Sequence, residues 1–263
     1  MINVNNTKRK LLAGERVLGL GVSLLRGAMV PILARAAGYD WLFIDREHGS
    51  LTEDDAAQIC LASLPHGITP IVRVCEGALD EATRALDNGA QGIVVPHVDT
   101  AERARAVVNA LRFAPRGNRS WGGGSATWNL RPPPMGEAME EADNELLVAV
   151  MIETPEAVAN AEAIAAVPGI DALLVGSSDL SIGMGIPGQF AHPRIREAYA
   201  TLAKACEQHG KALGLGGIYD DVMAPEYIRA GCRFILAAAD QGLFLNAATA
   251  RSKFLRGVER HAG

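Results

Sequence analysis

Leu146 to Ser181 reads LLVAVMIETPEAVANAEAIAAVPGIDALLVGSSDLS. Its two short apolar runs, LLVAVMI and ALLVG, flank a segment with helical spacing, so the stretch predicts strand, helix, strand. Thr154 suits the N-cap, Pro155 the first helical position, and Glu156 the positive end of the helix dipole. Glu153 ends the first run and Asp179 follows the second. Parallel strands joined by a crossover helix are commonly neighbours, about 4.8 Å apart, so the two carboxylates converge at one end of the sheet. Two hard oxygen donors with room for water suit Mg²⁺ or Mn²⁺, with Co²⁺ a further candidate. Taken singly, Glu153 reads more simply as a helix cap and Asp179 as a turn cap; the pair at matching strand ends is what points to a cation.

The same alternation runs outward in both directions. Strands are predicted at Val17–Val22, Asp40–Asp45, Thr69–Val74, Gln91–Pro96, Leu147–Glu153, Asp171–Gly176, Ala212–Gly217 and Arg233–Ala238. Helices are expected near Gly27–Ala37, Thr52–Leu64, Ala78–Asn88, Thr100–Leu111, Pro155–Ala165, Pro193–His209, Asp221–Ala230 and Gly242–Val258. Thr52 with Asp55, and Asp99 with Glu102, read as helix starts; Gly38, Gly89, Gly210 and Gly231 read as stops. Eight βα units in a chain of 263 residues predict an α/β fold, a (β/α)₈ TIM barrel forming one domain over 1–263. A doubly wound open sheet is the runner-up. Phe113–Glu145, rich in Gly and Pro, breaks the period; it is expected to face the active end as a lid or a subunit-contact arm, with Trp121 and Trp128 packed against something.

Composition narrows the function. At 49% hydrophobic and 21% charged the chain can bury a full core, and its 25 Lys and Arg are scattered against a net charge of −5, which argues against nucleic acid as a partner. No signal peptide and no membrane-spanning run is read, so the cytoplasm is the expected location and no membrane partner is implied. Cys60, Cys75, Cys206 and Cys232 lack metal spacing and are expected to be buried thiols.

In a TIM barrel, chemistry belongs at the C-terminal strand ends. There the second strand supplies Asp45, Glu47 and His48, with His48 close enough in sequence to hydrogen-bond Asp45 and gain basicity from it. Arg73 interrupts an apolar strand and needs an anion, either a structural partner or a substrate. His97 follows the fourth strand, and Asp240 lies near the end of the eighth. Gly214, Gly216 and Gly217 would let a ligand approach backbone, but they form no nucleotide fingerprint, and no nucleotide cofactor is expected. None of Lys8, Lys10, Lys204, Lys211 or Lys253 ends a predicted strand, which disfavours a Schiff base. What remains is a metal between carboxylates, a cation and a His base, the parts needed to bind a 2-oxo acid and stabilise its enolate.

DWLFIDREHGS, PIVRV, ALDNGAQGIVVPHVDTAERA, RFAPRGNRS, VMIETPEA and VGSSDLSIGMG together resemble the metal-dependent pyruvate aldolases of the HpcH/HpaI family, in order along nearly the whole chain. The resemblance implies cleavage of a 4-hydroxy-2-oxo acid to pyruvate and an aldehyde. It implies Glu153 and Asp179 as metal ligands, His48 as base with Asp45 beside it, and Arg73 as stabiliser of the enolate. It further implies that Asp87 supports the base from a neighbouring subunit, that Gly176, Ser177 and Ser178 contact pyruvate through backbone, and that the chain forms a homotrimer or homohexamer with its last helix exchanged. Met151 stands where several members carry a substrate-binding Gln, Arg46 replaces a small residue, and Gly-Ser-Ser-Asp replaces Gly-Pro-Ala-Asp. Met151 and Gly216 are taken as substrate-facing. The alternatives are a CoA-ester lyase or an oxaloacetate decarboxylase of the same superfamily, and a barrel that binds 2-oxo acids without catalysis.

Overall fold

All eight apolar runs form strands: β1 (Val17–Val22), β2 (Trp41–Asp45), β3 (Thr69–Arg73), β4 (Gly92–Val95), β5 (Leu147–Ile152), β6 (Ala172–Gly176), β7 (Ala212–Gly216) and β8 (Cys232–Ala239). A computed structural model, which describes residues 2–258, closes them in chain order into a parallel barrel in which β8 pairs with β1. The interior is packed with side chains. Fully buried Trp41 stacks on Phe234 with ring centroids 4.1 Å apart, and a Cβ on Gly19 would stand 2.2 Å from the indole, so β1 needs glycine there. Above this layer Phe43, Met151, Leu174 and Leu236 belong to the same interior cluster and form the floor of a cavity at the C-terminal strand ends. A second, larger apolar cluster joins the outward faces of the strands to the surrounding helices.

Those helices are α1 (Asn6–Leu12), α2 (Met29–Ala36), α3 (Glu53–Ser63), α4 (Leu79–Asp87), α5 (Ala101–Leu111), α6 (Met135–Glu145), α7 (Pro155–Ala159), α8 (Ala161–Ala165), α9 (Ser177–Gly183), α10 (Pro193–Gln208), α11 (Ala224–Arg229) and α12 (Asp240–Arg256). Thr52 and Asp55 form a reciprocal capping box, and Thr154 accepts the Ala157 N–H. The start of α5 differs from expectation. Its cap is Thr100, which accepts from Arg103, while Asp99 instead accepts the Thr154 hydroxyl. The helix expected over Pro155–Ala165 divides at Asn160, whose side-chain amide donates to the Asp99 carbonyl.

Three helices were not anticipated. The seven-residue α1 is too short to show a stripe; its Leu11 joins the barrel-interior cluster, and Asn5, at its N-cap, donates to the carbonyls of Gln91 and Glu145. In α9 the sequence SSDLSIG resembles a turn, and α6 lies inside the irregular insertion.

That insertion stands on the opposite end from the one expected. It follows α5 and precedes β5, so it is a helix-to-strand connection at the N-terminal end of the barrel rather than a loop over the active end. There Trp128 is buried with Phe113, Ala138 and Ala142, Trp121 packs beside them, and the Asn3 N–H donates to the Thr127 carbonyl. The apolar packing of both tryptophans is thus satisfied without a lid. Of the cysteines, Cys60, Cys206 and Cys232 are buried thiols, and burial pushes Cys206 up to about 12; Cys75 is only half-buried, near the Arg46 carbonyl. No described helix is long and apolar enough to cross a membrane.

Candidate active site

The C-terminal strand ends enclose a cavity of about 220 Å³. Asp45, His48, Arg73, Met151, Glu153, Gly176, Ser177, Ser178, Asp179 and Gly216 all line it, so ten of the eleven residues singled out from sequence share one volume. Asp87 is the exception. It ends α4 at the other end of the barrel, where Arg119 donates to it at 2.8 Å and its carboxylate lies against Gly122.

Arg73, expected to need an anion, has two. Its Nε and Nη2 donate to Asp45 at 3.0 and 2.7 Å, and Nη1 lies 3.0 Å from Glu47. Burial opposes its charge, but the hydrogen bonds and charge of Asp45, with Glu47 and Glu153 behind, raise its pKa overall. The guanidinium sits 5.0 Å above the Phe43 ring, and Nη1 also points at Met151 Sδ, 3.9 Å away, too long for a strong bond. A substrate oxygen would replace a weak acceptor at that position.

The local partnership expected between His48 and Asp45 takes another form. Asp45 Oδ1 accepts the backbone N–H groups of Glu47 and His48 at 3.0 and 3.1 Å, so the carboxylate shapes the turn while its side-chain partner is Arg73. The His48 imidazole is 69% exposed, with Nε2 3.9 Å from Glu47. The bidentate Arg73 interaction uses both Asp45 oxygens, which explains why the imidazole is left at the rim.

Glu153 is 2% exposed, just beyond β5. Its Oε2 accepts the His97 N–H at 2.9 Å, and His97 Nδ1 lies 3.4 Å from the same oxygen. To aim its N–H this way His97 adopts φ +51°, a conformation uncommon for non-glycine residues. Burial raises the Glu153 pKa; the His97 N–H opposes this, and Asp179 adds to it. Asp179, read from sequence as a strand-end residue, in fact lies in the first turn of α9 after β6 ends at Gly176, and it is exposed to the cavity. A Cβ on Gly176 would stand 2.6 Å from both Cγ and Oε1 of Glu153, so glycine is what lets the carboxylate lie over β6. The Ser177 hydroxyl bonds the Tyr199 hydroxyl at 2.8 Å and is spent outside the cavity.

Two mutually repelling carboxylates, one of them desolvated, fit a divalent cation that neutralises both. The described residues hold no group of three or more His, Cys, Asp and Glu suited to a metal, so the donor set is open, as Mg²⁺ and Mn²⁺ tolerate when water and substrate oxygens complete the shell.

Two further residues shape this end. Asp240, buried at the start of α12, accepts the N–H groups of Ser23, Leu24 and Leu25 at 3.1, 2.9 and 2.8 Å and the Ser23 hydroxyl at 3.0 Å, fixing the β1–α2 loop beside the cavity. Tyr219, three residues beyond β7, also lines the cavity. Asp240 stands at the end of the eighth strand as expected, whereas Tyr219 stands in no motif and is placed by tertiary structure alone.

The chain is similar to known proteins along most of its length. Residues 19–247 match the model of the HpcH/HpaI aldolase/citrate lyase family. A 4-hydroxy-4-methyl-2-oxoglutarate aldolase of Hapsidospora irregularis is 42% identical over 245 residues, covering 91% of this chain and 90% of the relative. A 2-keto-3-deoxy-L-rhamnonate aldolase of Klebsiella pneumoniae is 36% identical over 246 residues, with 92% and 90% covered. Among solved structures, an HpcH/HpaI aldolase from Desulfitobacterium hafniense superimposes with a TM-score of 0.91 at 27% identity, covering 97% of this chain and 98% of that one.

Proposed function

The chain belongs to the HpcH/HpaI aldolase/citrate lyase family, and from that premise we propose that it is a carbon–carbon lyase, a class II aldolase cleaving a 4-hydroxy-2-oxo acid to pyruvate and an aldehyde. The observation that supports the site assignment most is the gathering of Glu153, Asp179, Arg73 and His48 around one cavity at the C-terminal strand ends. Glu153 and Asp179 would hold Mg²⁺ or Mn²⁺, which supplies a Lewis-acid charge for the oxygens of the 2-oxo acid.

The chain's own residues do the rest. Arg73, locked by Asp45 and Glu47, presents its Nη1 side to the substrate oxygen that gains charge, without having to reorganise. His48, reaching the cavity from the rim, takes the proton of the C4 hydroxyl, directly or through a water. The C3–C4 bond then breaks: the aldehyde forms at C4, and the bonding pair passes to the pyruvate enolate. Return of a proton to C3 yields pyruvate. The backbone at Gly176–Ser178 and Gly216 leaves room for the small 2-oxo acid, with Met151 beneath it.

We also propose a homo-oligomer, a trimer or hexamer. Only Asp240 of α12 is buried; Leu243, Phe244, Leu245, Phe254 and Leu255 are exposed, Phe244 by 75%, a face suited to a second copy. Asp87, distant from the cavity of its own barrel, is available to a neighbour.

Pyruvate methyl exchange in D₂O tests the reading. Exchange is expected with Mg²⁺ or Mn²⁺, and should vanish with chelator and in Glu153→Ala. Equal exchange with and without chelator would refute the metal site, and absence of exchange with metal bound would refute the enolate chemistry.

A further inference from the structure

The base of the barrel holds a second, larger cavity that the chemistry proposed above does not use. It measures about 510 Å³, within the range of small-molecule sites, and lies at the opposite end from Glu153 and Asp179. It exists because α1 covers only part of the N-terminal strand ends. The Thr7 N–H donates to the Thr69 hydroxyl at 3.3 Å, the Thr7 hydroxyl to the Asp40 carbonyl at 3.3 Å, and the Asn5 amide to the Gln91 carbonyl at 2.9 Å, which ties α1 to the starts of β2, β3 and β4. On the other side Leu147, Asp171, Lys211, Ala212 and Arg233, where β5 to β8 begin, line the cavity, and Leu11 and Leu12 of α1 add an apolar wall.

Three cations, Lys8, Lys211 and Arg233, line this volume against two carboxylates, Asp171 and Glu207, so one positive charge is in excess. Asp171 is already engaged, by Arg112 at 2.9 Å, by the Val148 N–H at 2.8 Å and by Lys8 at 3.2 Å. Glu207 is exposed near the end of α10. Lys211 reaches only carbonyl oxygens, of Ile170 at 2.8 Å and Val167 at 3.5 Å, and Arg233 Nη1 donates to the Leu11 carbonyl at 3.2 Å. Neither forms an ion pair among the described residues, and each keeps donors to spare. Burial lowers the pKa of Lys8 and of Lys211; Asp171 opposes this, and the Arg112 guanidinium adds to it. A single negative charge beside Lys211 and Arg233 would supply the missing countercharge. The wall of Leu11, Leu12 and Leu147 favours an anion with a hydrocarbon body over a bare inorganic one.

We propose that this cavity at the barrel base binds a short aliphatic monocarboxylate, its carboxylate meeting Lys211 and Arg233 and its chain lying against Leu11, Leu12 and Leu147. The site is separate from the catalytic cavity and does not depend on the aldolase reading. A ligand so held bridges α1 to the starts of β7 and β8, and it raises the unfolding midpoint with its concentration.

Ligand-observed NMR titration of the full chain, kept metal-free with chelator, measures binding of butyrate, pentanoate and hexanoate, with hexanol, sodium chloride and inorganic phosphate as controls. One saturable site per chain is expected, with affinity rising about twofold to fourfold for each added methylene, the upper figure being that of a fully buried one. Arg233→Gln and Lys211→Gln should each weaken hexanoate about tenfold, the order of a hydrogen bond to a charged group. Should either variant fail to fold, two exposed positions decide. Glu207→Gln removes a competing carboxylate and should tighten hexanoate about threefold, whereas Leu12→Glu adds one at the rim and should weaken it about threefold to fivefold, as expected for charges a few ångströms apart in water. Three results would each overturn the proposal: no saturable binding, hexanol or phosphate binding as tightly as hexanoate, or hexanoate affinity unchanged in both Arg233→Gln and Leu12→Glu.

Discussion

Gly176→Ala is the substitution with the largest expected effect for its size. The residue has φ −86°, which alanine adopts freely, so the cost is steric and not conformational. The added Cβ would meet Glu153 Cγ and Oε1 at 2.6 Å and Cδ at 3.0 Å, about 1 Å inside ordinary contact. Carboxylate tips usually yield, but this one is buried and its Oε2 is tied to the His97 N–H at 2.9 Å. Relief therefore requires rotating Glu153 out of that bond or moving β6. Overpacking of this kind costs about 1–3 kcal/mol of stability. With Glu153 the proposed metal ligand, displacing its carboxylate by about 1 Å should weaken Mn²⁺ binding about 10- to 100-fold and depress turnover by a similar factor. Titration calorimetry with Mn²⁺, alongside urea unfolding of the metal-free protein, measures both. Wild-type Mn²⁺ affinity in a folded Gly176→Ala protein would refute the claim that Glu153 over Gly176 is a ligand.

Arg73→Ala strips the buried Asp45 of its bidentate partner and should cost about 3–5 kcal/mol in urea unfolding, in addition to abolishing activity. His48→Ala touches no buried contact, so metal affinity and unfolding should stay close to wild type while cleavage falls about 10²- to 10⁴-fold; undiminished cleavage would remove His48 as the base. Asp240→Asn exchanges one acceptor oxygen for an amino group among the Ser23, Leu24 and Leu25 donors, and should cost about 2–3 kcal/mol at neutral pH. Burial pushes Asp240 up, but the N–H groups of Leu25 and Leu24 and the Ser23 hydroxyl outweigh it and hold its pKa below the ordinary value. That stability is present above the unfolded pKa and is lost as pH falls through the folded one, so the gap between wild type and Asp240→Asn should close on acidification.

The barrel was legible because its strands are apolar on both faces and its helices carry local stop signals. VAVMI and ALLVG can be buried inside and outside at once, and Gly38, Gly89, Gly210 and Gly231 all take positive φ at helix ends. The meeting of Glu153 and Asp179 at one cavity was legible for a related reason: parallel neighbours in register bring the residues beyond their C-terminal ends together, as β5 and β6 do. The hydrogen bonds around the pair were not. Which acid Arg73 would choose, and that His97 would enter the left-handed region to point its N–H at Glu153, depend on side chains converging from separate strands. Tyr219 escaped for the same cause, since a tyrosine three residues past a strand carries no mark of which way the turn sends it.

The end on which the insertion stands is a different kind of miss, because the order of elements already contained the answer. The amphipathic stretch ending at Leu111 had to carry the chain back to the N-terminal end before anything could follow it. From there a long connection can only wrap the side or the base of its own barrel, as residues 113–145 do, where Arg119 donates to the Asp87 carboxylate and Gly122 leaves room for it. A segment so placed cannot gate its own cavity, but it determines how Asp87 is presented to whatever packs against that end. Arg119→Ala should accordingly leave exchange and cleavage close to wild type in an isolated protomer. It should impair them in an assembly whose sites share Asp87, a contrast that dilution-dependent activity would expose.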